Sequence, residues 1–194
     1  MSAPDLFPSD SPAANGLGSP SGSLPLVEDS PLMHAVLIKQ AAAWLKRKGC
    51  SVVITDMTSG ASETPDAIGW QGGCRSILIE CKSSRSDFFA DRIKAFRRDP
   101  ERGMGTIRYY CVPADLLKSS DLPTNWGLLE WANGKLRERV KAVSQKASHL
   151  HEGRLLLSAI RRIAHTPPKG ISVRCYTMDS KCRATLGVVK EANV

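Results

Sequence analysis

ETPDAIGW (residues 63–70) and SILIECKSS (residues 76–84) are the most informative stretches of this chain. On a strand successive side chains face opposite ways, so Glu80 and Lys82 share one side while Ile79 and Cys81 share the other. Ile77, Leu78 and Ile79 form an unbroken apolar run, which predicts a strand covered on both faces. Ending that strand in Glu and Lys sets charged groups where the sheet leaves the core. Asp66 opens the shorter strand before it. If the two pair across the Gln71-Gly72-Gly73 turn, Asp66 comes within reach of Glu80, and two hard oxygen donors can share one divalent cation.

The flanking sequence predicts the elements that would carry this pair. Residues 32–49 place Val36, Ile38, Ala42 and Leu45 among good helix formers and end in Lys46, Arg47, Lys48 and Gly49, a helix with its stop. Residues 50–57 are a β-branched run and 58–65 a turn-rich loop. After the Glu-Cys-Lys strand end, Ser86 is placed to cap a helix reaching Arg98, with Phe89, Ile93 and Phe96 as its inward stripe. Residues 106–113 read as a strand. Asn133-Gly134 lies between WGLLEW and KLRERV, which predicts a type I′ hairpin over 126–140. A helix is expected from Gly153 to His165, with Leu156, Ile160 and Ile163 inward and Pro167 and Pro168 ending it. Residues 171–178 and 184–189 suggest one or two further strands. Helix, strands, helix, strand, hairpin and helix in that order predict a mixed α/β domain.

Composition narrows the setting. Residues 1–31 hold six prolines, seven serines and three glycines, with four acids and no base, so a disordered tail is expected there. The other 163 residues therefore carry +12 against +8 for the whole chain, which favours a polyanionic partner. No run approaches a membrane span and the N-terminus lacks the pattern of a secretory signal, so the expected location is intracellular. Cys50, Cys74, Cys81, Cys111, Cys175 and Cys182 form no Cys-x-x-Cys pair and lie mostly in apolar runs, as buried thiols do. Their spacing to His149, His151 and His165 does not suggest zinc. There is no phosphate-cradling glycine loop and no Gly-x-Ser-x-Gly elbow, which sets aside P-loop and serine-hydrolase chemistry.

Pro65-Asp66 at a strand mouth, an apolar strand running into Glu80-Cys81-Lys82, and a basic helix directly after resemble the PD-(D/E)xK nuclease superfamily. The string ECKSSRSDFFADR (residues 80–92) is similar to the DNA-repair endonucleases within it. The resemblance spans about 32–140. It implies a restriction-endonuclease-like mixed sheet flanked by helices, in one domain over 32–194 whose residues 141–194 are a C-terminal extension. It implies Mg²⁺ or Mn²⁺ held by Asp66, Glu80 and the Cys81 backbone carbonyl, with Lys82 orienting and helping to deprotonate the attacking water. Many members carry an acid on the first helix. Residues 33–48 contain none, leaving Gln40 as a neutral substitute and Glu63 as the nearer spare carboxylate.

The implied activity is Mg²⁺-dependent hydrolysis of DNA in repair, recombination or phage-type processing, by a cytoplasmic, nucleoid-associated enzyme for which a homodimer would suit cutting two strands. Ser83, Ser84, Arg85, Arg92, Arg97 and Arg98 are the candidate DNA contacts, since phosphate tracking needs repeated basic side chains. Helix capping is the plainer role for the two serines. His34 reads as a partly buried polar residue, and the tryptophans with Tyr109 and Tyr110 as packing. The rival reading is a non-catalytic nucleic-acid-binding module with the nuclease fold. A third is an adaptor acting through the tail and extension.

Overall fold

The computed structural model describes residues 31–164, 176–178 and 184–186. The expected tail lies outside them apart from Pro31, as do Cys175, Cys182, His165 and both prolines after the last helix. Helix α1 spans Pro31–Arg47, followed by strands β1 (Val52–Thr55), β2 (Ala67–Trp70) and β3 (Ser76–Cys81). Two short helices, α2 (Arg85–Arg92) and α3 (Ala95–Arg98), lead to β4 (Ile107–Pro113). The hairpin β5 (Gly127–Ala132) and β6 (Lys135–Val140) precedes α4 (His149–Ile163), then β7 (Tyr176–Met178) and β8 (Ala184–Leu186).

β1 to β6 form one sheet in sequence order, making a mixed α/β fold with flanking helices. β3, β4 and β5 run parallel, while β1–β2, β2–β3 and β5–β6 are antiparallel pairs. β7 and β8 pair separately. One sheet face packs on α1 through Leu37, Ala41, Trp44 and Leu45 against Ile77, Ile79, Tyr109 and Leu129. The other face buries Leu78, Tyr110 and Leu128 against Phe88 of α2 and Leu155 of α4. Each fully buried Leu or Phe contributes roughly 1.5–3 kcal/mol. The residues of β3 alternate between these two cores, so a strand buried on both faces follows from its apolar run. Asn133 (φ 49°) and Gly134 (φ 74°) take the paired left-handed conformations of a type I′ turn, as the dipeptide predicts.

Three expectations are corrected. The helix predicted over 86–98 is capped by Ser84, whose Oγ accepts from Asp87 N–H at 3.3 Å, and it breaks where Lys94 turns extended. Phe89 and Ile93 are 42% and 66% exposed, and the buried positions are Phe88, Asp91 and Arg97. The break rotates the second short helix, so a single helical period misassigns the faces. In α4, Leu155 and Glu152 are buried, whereas Ile160 and Ile163 face solvent. That face is fixed by Glu152, which accepts from Ser76 Oγ at 2.7 Å and Gly105 N–H at 2.9 Å. Cys50, Cys81 and Cys111 are buried, but Cys74 is exposed, on the turn between β2 and β3. No described helix is long and apolar enough to cross a membrane.

Candidate active site

The β2–β3 register pairs Ala67 with Ile79, which sets Asp66, one residue before β2, beside Glu80. Asp66 Oδ2 accepts from the Cys81 N–H at 2.7 Å, fixing the carboxylate across the strand end. Its other oxygen lies 3.5 Å from His34 Nε2 on the first turn of α1. Lys82 Nζ is 3.5 Å from Glu80 Oε2, both side chains being nearly buried, as strand alternation requires. Asp66, Glu80 and Lys82 thus converge at the end of β3.

Sequence reasoning missed what surrounds them. Arg97 is buried, and its guanidinium reaches three carboxylates: Glu63, Glu80 Oε1 at 2.7 Å and Asp91 Oδ2 at 2.7 Å. Asp91 also meets Lys94 Nζ at 2.7 Å, Lys82 Nζ at 3.8 Å and the Tyr110 hydroxyl, which donates to it at 2.9 Å. Tyr110 is the register partner of Glu80 on β4, so sheet pairing and the helix break together build the cluster. A buried charge left without a partner is costly, and a shared guanidinium satisfies several acids at once. The only signal in the sequence was an excess of ionisable residues, Asp91 to Arg97, beside a buried phenylalanine.

This arrangement moves two residues out of their expected places. Arg97 lies inside the protein and cannot follow a DNA backbone. Glu63 is no spare ligand: it pairs with Arg97 through one oxygen and accepts from Met104 N–H at 2.6 Å through the other. Arg85 is exposed but held by Leu116 O and Asp121 Oδ2, at 2.9 and 3.0 Å. Ser84 caps α2 and meets Ser86 Oγ at 2.9 Å, while Ser83 is half-buried. Arg92 and Arg98 are exposed, and Arg92 lies over Phe88 and Phe89.

The charges interact strongly. Burial pushes the Glu80 carboxyl up to about 7, with Arg97 and Lys82 opposing and Asp66 reinforcing the rise. Burial also raises Asp66, against Lys82 and the Cys81 N–H. For Lys82, burial favours loss of the proton, but Glu80, Asp91, Asp66 and Asp87 outweigh it and hold its pKa above the ordinary value. Asp91 is likewise desolvated, yet Arg97, Lys82 and Lys94 keep it well below the usual carboxylate range. The surrounding acids thus favour the charged form of Lys82 when no metal is bound, which suits it to orienting water and countering phosphate charge.

Whether these residues suit a divalent cation depends on their free atoms. Two raised carboxyls side by side are what a cation would relieve. Asp66 keeps Oδ1 clear of the backbone bond, 3.5 Å from His34 Nε2, while Glu80 is paired with Arg97 through Oε1 and lies beside Lys82 through Oε2, so a cation would compete with both for it. Among the described residues no group of three His, Cys, Asp or Glu side chains gathers as a metal cage. Two carboxylates without a third match a hard cation of the Mg²⁺ type, which completes its shell with water and phosphate oxygens. They do not match a structural zinc site.

No protein-family model and no curated protein matches the sequence. Among solved structures the chain is similar to a protein of unknown function from Silicibacter pomeroyi, at a TM-score of 0.53 and 24% identity. The match covers 71% of this chain and 93% of that one. At that identity the likeness establishes a shared fold.

Proposed function

We propose that the protein is a metal-dependent nuclease of the PD-(D/E)xK type acting on DNA. The observation that carries the reading is the convergence of Asp66, Glu80 and Lys82 at one strand end, each positioned by backbone pairing. A bound Mg²⁺ or Mn²⁺ would supply a nucleophilic water near neutral pH and positive charge on the phosphate. Asp66 and Glu80, with the Cys81 carbonyl, would hold it. Asp66 is pre-oriented by the Cys81 N–H, and Glu80 is steadied by Arg97. Lys82 contributes an ammonium that orients water toward phosphorus and offsets charge on the non-bridging oxygens. Arg92 and Arg98 supply exposed positive charge for the phosphate backbone.

A specific observation favours the rival reading, a nucleic-acid-binding module without catalysis: Arg97 already partners Glu80, so the cluster is partly neutralised without metal. The two readings separate when the purified protein is incubated with labelled duplex, nicked, branched, mismatched and single-stranded DNA in Mg²⁺, Mn²⁺ or EDTA. Nuclease function predicts cutting of at least one substrate with either metal and none in EDTA. Binding without cutting in every lane supports the rival.

A further inference from the structure

The two ends of α1 border different chemistry. His34 in its first turn meets Asp66, whereas Trp44 in its last turn, about 15 Å along the axis at 1.5 Å per residue, faces a separate cleft. This cleft, of about 590 Å³, opens between the end of α1, the starts of β3 and β4, and β6. Its size is that of a small-molecule site.

The floor is apolar and the rim basic. Ile77 and Ile107 are register partners on β3 and β4, and Trp44 meets Tyr109 edge to face with ring centroids 5.2 Å apart. The acid lining the cleft, Glu138, is already engaged: the Tyr109 hydroxyl donates to it at 2.7 Å and Lys48 Nζ lies 2.9 Å away. Lys48 is drawn at the same time over the Trp44 ring, 4.7 Å from its centroid. Arg139 pairs with Glu130 at 2.8 Å. Arg75 and Lys141 remain. Both are exposed on the rim, and among the described residues neither has a carboxylate oxygen within 4 Å.

Two cations with no carboxylate within 4 Å, on the rim of an apolar, aromatic-edged floor, call for a ligand with an anionic head and a flat apolar body. Arginine's planar fork suits phosphate oxygens, and a nucleobase is the flat body most often joined to phosphate. We propose that this cleft binds a nucleoside phosphate through Arg75 and Lys141, taken either free or as one nucleotide of a single strand. The site is distinct from the carboxylate pair, and its one lining acid, Glu138, is already engaged, so binding does not require a divalent cation.

The test is run in EDTA, which removes any contribution from cleavage. Adenosine 5′-monophosphate, a 5′-phosphorylated single-stranded oligonucleotide and inorganic phosphate are titrated into the full chain and into Arg75→Ala, Lys141→Ala and, as a surface-charge control outside the cleft, Lys135→Ala. Circular dichroism and melting confirm that each variant folds; should Arg75→Ala fail, Lys141→Ala carries the test. Each cleft variant is expected to lose about tenfold in affinity, the effect of one charged hydrogen bond, with the Lys135→Ala protein within about twofold of the parent. Loss for both adenosine monophosphate and the strand supports the free nucleotide as ligand; loss for the strand alone supports the strand. Equal affinity in parent and cleft variants, no binding of either probe, or phosphate binding as tightly as the nucleotide would each overturn the proposal.

Discussion

Arg97 Nη2 lies 2.7 Å from Glu80 Oε1, so the carboxylate at the end of β3 faces a guanidinium that the protein itself buries. The same Arg97 side chain holds Glu63 and Asp91. Arg97→Ala would leave three buried acids short of a partner, and the expected loss is about 3–5 kcal/mol of folding stability. Arg97→Lys keeps the charge but not the fork, and should lose less. Denaturant unfolding of both variants checks the order; an Arg97→Ala protein as stable as the parent would show that the cluster contributes nothing to folding.

Glu80 gives a pH dependence with a definite sign. Without metal its folded-state pKa is about 7 against an ordinary 4.5, so between those values the folded protein keeps a proton that the unfolded chain has released. That stabilisation is complete below the unfolded pKa and is lost as pH rises through about 7. Asp91 works in the opposite sense, its contribution present at neutral pH and lost only in acid. In EDTA, the parent's melting temperature should therefore fall between pH 6 and pH 8 by a few degrees more than that of Glu80→Gln, which has no proton to release there. Parallel curves would argue against a raised Glu80.

Arg92 and Arg98, the chain neighbours of the buried Asp91 and Arg97, are exposed and basic. Reversing both to glutamate should weaken DNA binding about equally for all sequences and lower the salt slope by about one to two units, as lost phosphate contacts do. An unchanged slope, measured by fluorescence anisotropy from low to moderate salt, would direct attention to Arg154, Arg161 and Arg162 on α4.

Much of this site was legible because it depends on strand geometry. Alternation placed Glu80 and Lys82 together, the turn after Trp70 predicted the antiparallel neighbour that brings in Asp66, and Asn133-Gly134 marked the hairpin. Apart from Cys74 on its turn and Glu63 on its loop, the misreadings came from helices whose buried faces are polar. Glu152 in α4 faces inward because neutral donors on other elements hydrogen-bond it, and Asp91 and Arg97 around the break at Lys94 because they pair with each other and with charges on other elements, whereas helical periodicity records apolar spacing alone. The N-cap also lay two residues earlier than expected, at Ser84, since the strand end passes almost directly into α2.

Metal binding and chemistry should separate by residue. Asp66→Asn and Glu80→Gln each remove a charge from the cation's shell and should weaken Mn²⁺ affinity about tenfold or more, whereas Lys82→Ala removes a nearby ammonium and should leave affinity equal or tighter. Isothermal titration of Mn²⁺ into the three variants checks this. Unchanged affinity in both carboxylate variants would move the metal elsewhere.

The most direct test is the Mg²⁺-dependent cleavage rate of a susceptible DNA substrate, compared between the parent and the folded Asp66→Asn and Lys82→Ala proteins. The parent is expected to cut and each variant to be slower by at least about a hundredfold while still binding DNA. Parent-like cutting by either variant, or cutting that persists in EDTA, would contradict the assignment of Asp66, Glu80 and Lys82 as the catalytic centre.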